Sequence, residues 1–142
     1  MATREQIYAA LFALASNSAG FVTKGRKLID FQDVAPSQMP ALFQLQKNES
    51  YNQVGEGVPP NRTLNVELYV YASVPNDQDT PSTALNNLID SIEAALAPNI
   101  LTGNQTLGGL VSHCYIKTNI EIYDGILGQK AVAIIPIEIL IP

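Results

Sequence analysis

The chain has 142 residues, 46% of them apolar and 15% charged, and its 8 basic and 13 acidic side chains leave a net charge of −5. That length fits one domain spanning 1–142. The acidic balance excludes the basic face by which nucleic-acid binders neutralise phosphates, since only Lys24, Arg26 and Lys27 stand close together among the cations.

The low charge has a further consequence. A designed monomer surface alone aims for about 25–35% charged residues, so a surface this poor in charge is expected to be partly covered by a partner. The single cysteine, Cys114, rules out an internal disulfide and any cysteine-based metal cluster. No apolar run approaches the ~20 residues of a membrane span, and no apolar signal core follows Met1-Ala2-Thr3-Arg4-Glu5. Synthesis in a cytosol, with no membrane partner, is the expectation.

The first predicted element is a helix. Thr3 and Gln6 have the spacing of a capping box. Ile7, Ala10, Leu11 and Leu14 recur at helical spacing, widened by Tyr8 and Phe12, and Asn17, Ser18 and Gly20 end the helix. Residues 21–31 read as a short strand or an extended segment, and 34–37 as a turn. A strand over 41–46 places Phe43 and Leu45 on one face and Leu42 on the other. Residues 48–62 are the longest polar stretch, with Tyr51 and Val54 as the few apolar side chains. A connection this long inside a small domain is either functional or disordered, and between two predicted strands it reads as an extended hairpin loop.

The clearest strand runs over 63–74. Leu64, Val66, Leu68, Val70, Ala72 and Val74 alternate with Asn65, Glu67, Tyr69, Tyr71 and Ser73. The second set is polar and aromatic, which suits contact with a neighbouring subunit. A turn-rich linker leads to a second helix capped by Thr80 or Ser82 and started by Pro81. Its apolar stripe is Leu85, Leu88, Ile89, Ile92 and Leu96, and Pro98 stops it.

After a turn over 103–109, a long strand is predicted over 110–123, then a hairpin turn begun by Asp124-Gly125 and continued by Gly128. The last strand, 130–141, is apolar on both faces, so both are expected to be covered. Pro136 has no N–H for a ladder, which places it at an edge or a bulge. An apolar edge strand is an aggregation hazard that a second subunit would remove. The elements together predict an α+β domain: a mainly antiparallel or mixed sheet of about four to five strands with two helices packed on one face.

Residues with chemical potential are few. His113 is the only histidine, so a histidine-rich zinc site is impossible and any Ser-His-Asp triad would depend on it alone. Cys114 alternates with apolar neighbours and reads as a small buried hydrophobe. Asp77 and Asp79 are spaced like metal-binding carboxylates but lack the glycine and terminal glutamate of a calcium loop. Turn formation explains them better. Gly55-Glu56-Gly57 and Gly108-Gly109 lack the Gly-Lys-Ser/Thr of a phosphate loop. Glu67, Glu121 and Glu138 would cluster only if their strands were adjacent. Neither a catalytic, a cofactor-binding nor a metal-binding residue is assigned.

The order of elements and several phrases resemble a known family. A short N-terminal helix is followed by Pro40-Ala41-Leu42-Phe43 and by Leu64-Asn65-Val66-Glu67-Leu68-Tyr69-Val70-Tyr71-Ala72. An amphipathic helix over 84–96 comes next, then Thr106-Leu107-Gly108-Gly109-Leu110-Val111, then a closing hairpin ending Ile135-Pro136-Ile137. Over nearly its whole length the chain resembles the tail terminator proteins of long-tailed bacteriophages.

The resemblance implies a virion structural protein, made in the host bacterial cytoplasm, that carries no cofactor and no active site. It implies a homo-oligomer, a hexameric ring, that caps the head-proximal end of the tail tube and stops polymerisation of the tail tube protein. Such a ring offers a docking surface to the head-completion or connector protein, and DNA passes through it without sequence-specific binding. The family has no residue-level motif to transfer, so candidate interface residues come from pattern alone: Tyr51, Val54, Tyr69, Tyr71, Ile137 and Ile139. Two alternatives stay open. One is another neck or tail component, a tube subunit or head–tail adaptor. The other is a small-molecule-binding α+β domain with Glu67, His113 and Glu121 in a pocket.

Overall fold

A computed structural model describes residues 2–76 and 78–142 and, at 125–127, the backbone alone. Helix α1 spans Arg4–Ser16, and the predicted capping box starts it. The Gln6 amide donates to Thr3 Oγ1 at 3.2 Å, and the Thr3 amide donates to Gln6 Oε1 at 2.9 Å. Strand β1 (Thr23–Gly25) follows, then two 3₁₀ turns, Phe31–Asp33 and Pro36–Gln38. The remaining elements are β2 (Ala41–Asn52), β3 (Asn61–Ser73), α2 (Pro81–Ala95), β4 (His113–Ile116), β5 (Glu121–Leu127) and β6 (Lys130–Ile141).

The fold is α+β, with a six-stranded mixed sheet in the order β1-β2-β3-β6-β4 and with β5 also paired to β6. Among the described residues only the β1–β2 pairing is parallel. The sheet therefore has more strands than the four to five expected. The three-residue β1 falls within 21–31, read as a short strand or an extended segment, and the sixth strand arises because the long strand predicted over 110–123 breaks into β4 and β5.

The break has a cause on the opposite strand. Ile116 pairs with Ile137 and Glu121 with Ile134, so the four residues 117–120 face only Ile135 and Pro136. The Lys117 amide bonds the Pro136 carbonyl at 3.0 Å, and Thr118 then turns into the left-handed region at φ 63°. The carbonyl and amide of one strand residue point the same way, so the N–H that proline lacks is missing on this irregular side. Pro136 thus lies opposite a bulge. Of the two placements expected for Pro136, an edge or a bulge, the edge is corrected: β3 covers one side of β6 over its full length, and β4 and β5 lie end to end on the other.

Both hairpins also differ from expectation. A register shift between Gln46 and Asn48 keeps β2 and β3 paired out to Asn52↔Asn61, so the connecting loop shrinks to 53–60. The β5–β6 turn is Gly128-Gln129, with Gly128 at φ 70°, and Asp124 lies inside β5. Asp124 instead accepts from the Ser82 amide at 3.1 Å, supplying the α2 cap that the Thr80 side chain does not make.

Alternation sorts the sheet into two faces. Leu42, Leu64, Val66, Leu68, Val70, Ile135, Ile137 and Ile139 join Ile7, Leu11, Leu85 and Ile92 in the main core, with both helices on this side. On the other face a smaller cluster forms from Val34, Met39, Ala41, Phe43, Tyr71 and Val132. The segment carrying the two 3₁₀ turns covers that end of the face. Tyr71 donates to the Ile29 carbonyl at 2.7 Å and packs against Phe43 with ring centres 5.4 Å apart.

Candidate assembly surface

The 3₁₀ segment covers one end of the second sheet face, leaving polar and aromatic side chains at the other. Register places Asn65 beside Glu138 and Glu138 beside Tyr115. Glu138 is buried and accepts from both Tyr115 and Lys117. Burial raises the Glu138 pKa, but the hydrogen bonds from Lys117 and Tyr115 outweigh it and leave the carboxyl below its ordinary value. The same hydrogen bond, helped by burial, pushes the Tyr115 hydroxyl up to about 12. One strand away, Glu67 accepts from Tyr69 at 3.2 Å and pairs with Lys47 at 3.5 Å. Burial and the nearby Glu67 raise the Tyr69 pKa. A depression of about 350 Å³ lies between these two groups, lined among others by Lys47, Asn65, Lys117 and Pro136. The face is rich in aromatic and paired charged groups.

A second feature fixes the β2–β3 hairpin to α1. Arg4 Nε donates to both Glu49 oxygens, at 2.8 and 3.0 Å, and its terminal nitrogen donates to Tyr51 Oη at 2.6 Å. The buried Tyr8 hydroxyl donates to Glu49 at 3.1 Å, and the Arg62 guanidinium stacks 5.5 Å over the Tyr51 ring. The hairpin base is held, and its loop is folded on itself. Gln53 Nε2 donates to the carbonyls of Gly55 and Val58, both at 2.6 Å, and Gly57 takes φ 75°. The result is an ordered loop that exposes Val54 and Val58 beside the exposed Tyr51.

The six pattern-based interface candidates divide in two. Tyr51 and Val54 are 56% and 58% exposed, and Tyr69 is half-buried on the open face. Tyr71, Ile137 and Ile139 are corrected, because each is buried inside the chain itself. Ile137 and Ile139 point to the helix side of β6, and the 3₁₀ segment covers Tyr71. The two-sided apolarity of β6 is met within the chain.

Glu67, His113 and Glu121 do not converge. Along β6, Glu121 stands opposite Ile134 and His113 opposite Leu140, about 20 Å apart at roughly 3.3 Å per residue. His113 stacks on Tyr115, and its Nδ1 accepts from the Gln105 amide at 3.0 Å. Cys114 is buried, and burial pushes its thiol up to about 12, as for a core residue. Asp77 lies outside the described residues. Among the described residues no group of three or more His, Cys, Asp or Glu is placed to hold a metal, and no helix is long and apolar enough to cross a membrane.

Sequence reasoning missed a cleft of about 580 Å³ between the end of α2 and the outer side of β4. Asp90 and Glu93 line it together with Leu96, Pro98 and Ile116. One wall is the loop after α2, where Asn99 Oδ1 accepts from the amides of Leu101 and Thr102 and the Gly103 amide bonds the Asn99 carbonyl. This closed loop holds Ile100 and Leu101 almost wholly in solvent. The run Pro98-Asn99-Ile100-Leu101-Thr102-Gly103 was the available signal: two large apolar residues between strong turn formers. No protein-family model and no curated protein matches the chain in sequence.

Proposed function

We propose that this protein is a phage tail terminator, a non-enzymatic subunit whose ring caps the head-proximal end of the tail tube. One observation carries the reading: two ordered loops hold their largest apolar residues out in solvent. Val54 and Val58 are exposed on one, and Ile100 and Leu101 on the other. Apolar residues held out together by a closed loop suit a contact with a partner. The order of elements, with an α+β sheet carrying both helices on one face, agrees with what the resemblance implies. In this reading the 53–60 loop projects from the ring towards tube or head, and DNA passes through the acidic ring without adhering to it.

Negative-stain microscopy of the purified protein, alone and with tail tube protein, tests the reading. Closed rings, six-fold in end view and seated at tube ends, are expected. Long tubes of this protein alone would make it a tube subunit, because only a closing interface terminates. Monomer at high concentration in the presence of tube protein would sink the ring.

A further inference from the structure

We propose that the β1 edge of one copy docks into the α2–β4 cleft of the next copy, making a head-to-tail contact. The proposal rests on the reading of this chain as a ring subunit and names the surfaces that would close the ring.

The two surfaces sit at opposite ends of the sheet, since β1 ends one side and β4 with β5 the other. Their unpaired charges are opposite in sign. Lys24 and Lys27, in and just after β1, are exposed, and among the described residues neither joins an ion pair. Asp90 and Glu93 are exposed on α2, line the cleft, and likewise make no ion pair among the described residues. Polarity agrees with charge. Val22, just before β1, is 61% exposed, and the cleft offers it the apolar surface of the exposed Pro98 and the half-buried Ile116.

Orientation agrees as well. Lys24 stands beside Leu42, whose side chain enters the helix-side core, so Lys24 leaves the sheet on the helix side. That is the side on which α2 carries Asp90 and Glu93. By the pairings, β1 runs with β2 and β6 and against β3 and β4. Copies related by an axis along the strands therefore bring β1 antiparallel to β4, the two strands that end the sheet order. A two-fold contact of β1 with β1 would oppose Lys24 and Lys27 to themselves, which disfavours a closed dimer. The contact is heterologous, the kind that closes into rings. Because β1 has only three residues, strand pairing adds few hydrogen bonds, and charge and Val22 supply the rest.

Charge reversal tests the docking. The variants K24E/K27E and D90K/E93K change exposed groups only, and thermal melts check that each folds. Sedimentation velocity should show self-association weakened about tenfold or more in each variant alone, since like charges are then brought face to face. An equimolar mixture should regain assembly, because each variant then presents the edge the other needs. In wild-type rings, a zero-length carbodiimide cross-linker should join Lys24 or Lys27 to Asp90 or Glu93 of another chain. This second measurement decides the matter if a variant fails to fold. Wild-type rings without that cross-link, or variants that assemble as well as wild type, would overturn the docking and leave the ring reading standing. A wild-type chain that stays monomeric with tube protein present would overturn both.

Discussion

Tyr8, Tyr71 and Tyr115 set how the protein responds to alkali. Each hydroxyl is pushed up to about 12. For Tyr8 the main cause is burial, then the Glu49 carboxylate; for Tyr71 it is burial, then Asp30; for Tyr115 it is the hydrogen bond to Glu138, then burial. A free tyrosine loses its proton near 10, so between about 10 and 12 the folded state holds protons that the unfolded state has released. Stability from these groups is complete below pH 10 and is lost as pH rises through 12. Urea midpoints should be level from pH 7 to 9 and fall steeply between 10 and 12, and Tyr8→Phe should flatten the fall. A level midpoint across that alkaline range would sink the account. At this scale local signals were legible: the Thr3–Gln6 cap and the buried Cys114 depend on near neighbours in sequence. The Glu49 network was not, because Arg4 and Glu49 stand 45 residues apart and only the folded hairpin brings them together.

The break between β4 and β5 shows why an element can be misread from its own residues. Cys114, Ile116, Thr118, Ile120 and Ile122 alternate without interruption, and that pattern reads as one strand. The interruption comes from Pro136 on the partner strand, so no local window contains its cause. The cost falls on Thr118, a β-branched residue held at φ 63°. Left-handed backbone costs an L-residue about 1–2 kcal/mol, whereas glycine there loses only about 0.5–1 kcal/mol of extra chain entropy. Thr118 is exposed, so its side chain contributes little packing. Thr118→Gly should raise stability by about 0.5–1 kcal/mol in chemical denaturation, and a loss would show that the bulge is not strained. The same limit explains β6. Its apolar faces announced that they would be covered, but pattern alone could not say that the cover is the chain's own helices and 3₁₀ segment.

For the whole molecule, the α+β class and the helix-bearing face were legible because hydrophobic periodicity reports which side of each element is buried. Strand order was not, since pairing partners lie far apart in sequence, and with it went the identity of the sheet edges and the α2–β4 cleft. The separation of folding from assembly follows from the same division. The 53–60 loop adds none of its side chains to either core, while Asn52 and Asn61 at its ends are direct partners across the hairpin. Replacing 53–60 by Asn-Gly supplies the two-residue turn that such a pair accepts and shortens the closure, so stability should change by less than about 1 kcal/mol. Rings should form as before, because the proposed β1 and α2–β4 surfaces are untouched. What should be lost is the contact proposed for Val54 and Val58 with tube or head. With the variant present, tail tube protein should polymerise past its normal length, or finished tails should fail to accept heads, and microscopy of tail lengths and of head–tail joining separates the two. A variant that still stops tubes and still joins heads would remove the loop from the function and leave the open sheet face, with Tyr69, Tyr115 and Glu138, as the remaining surface for that contact.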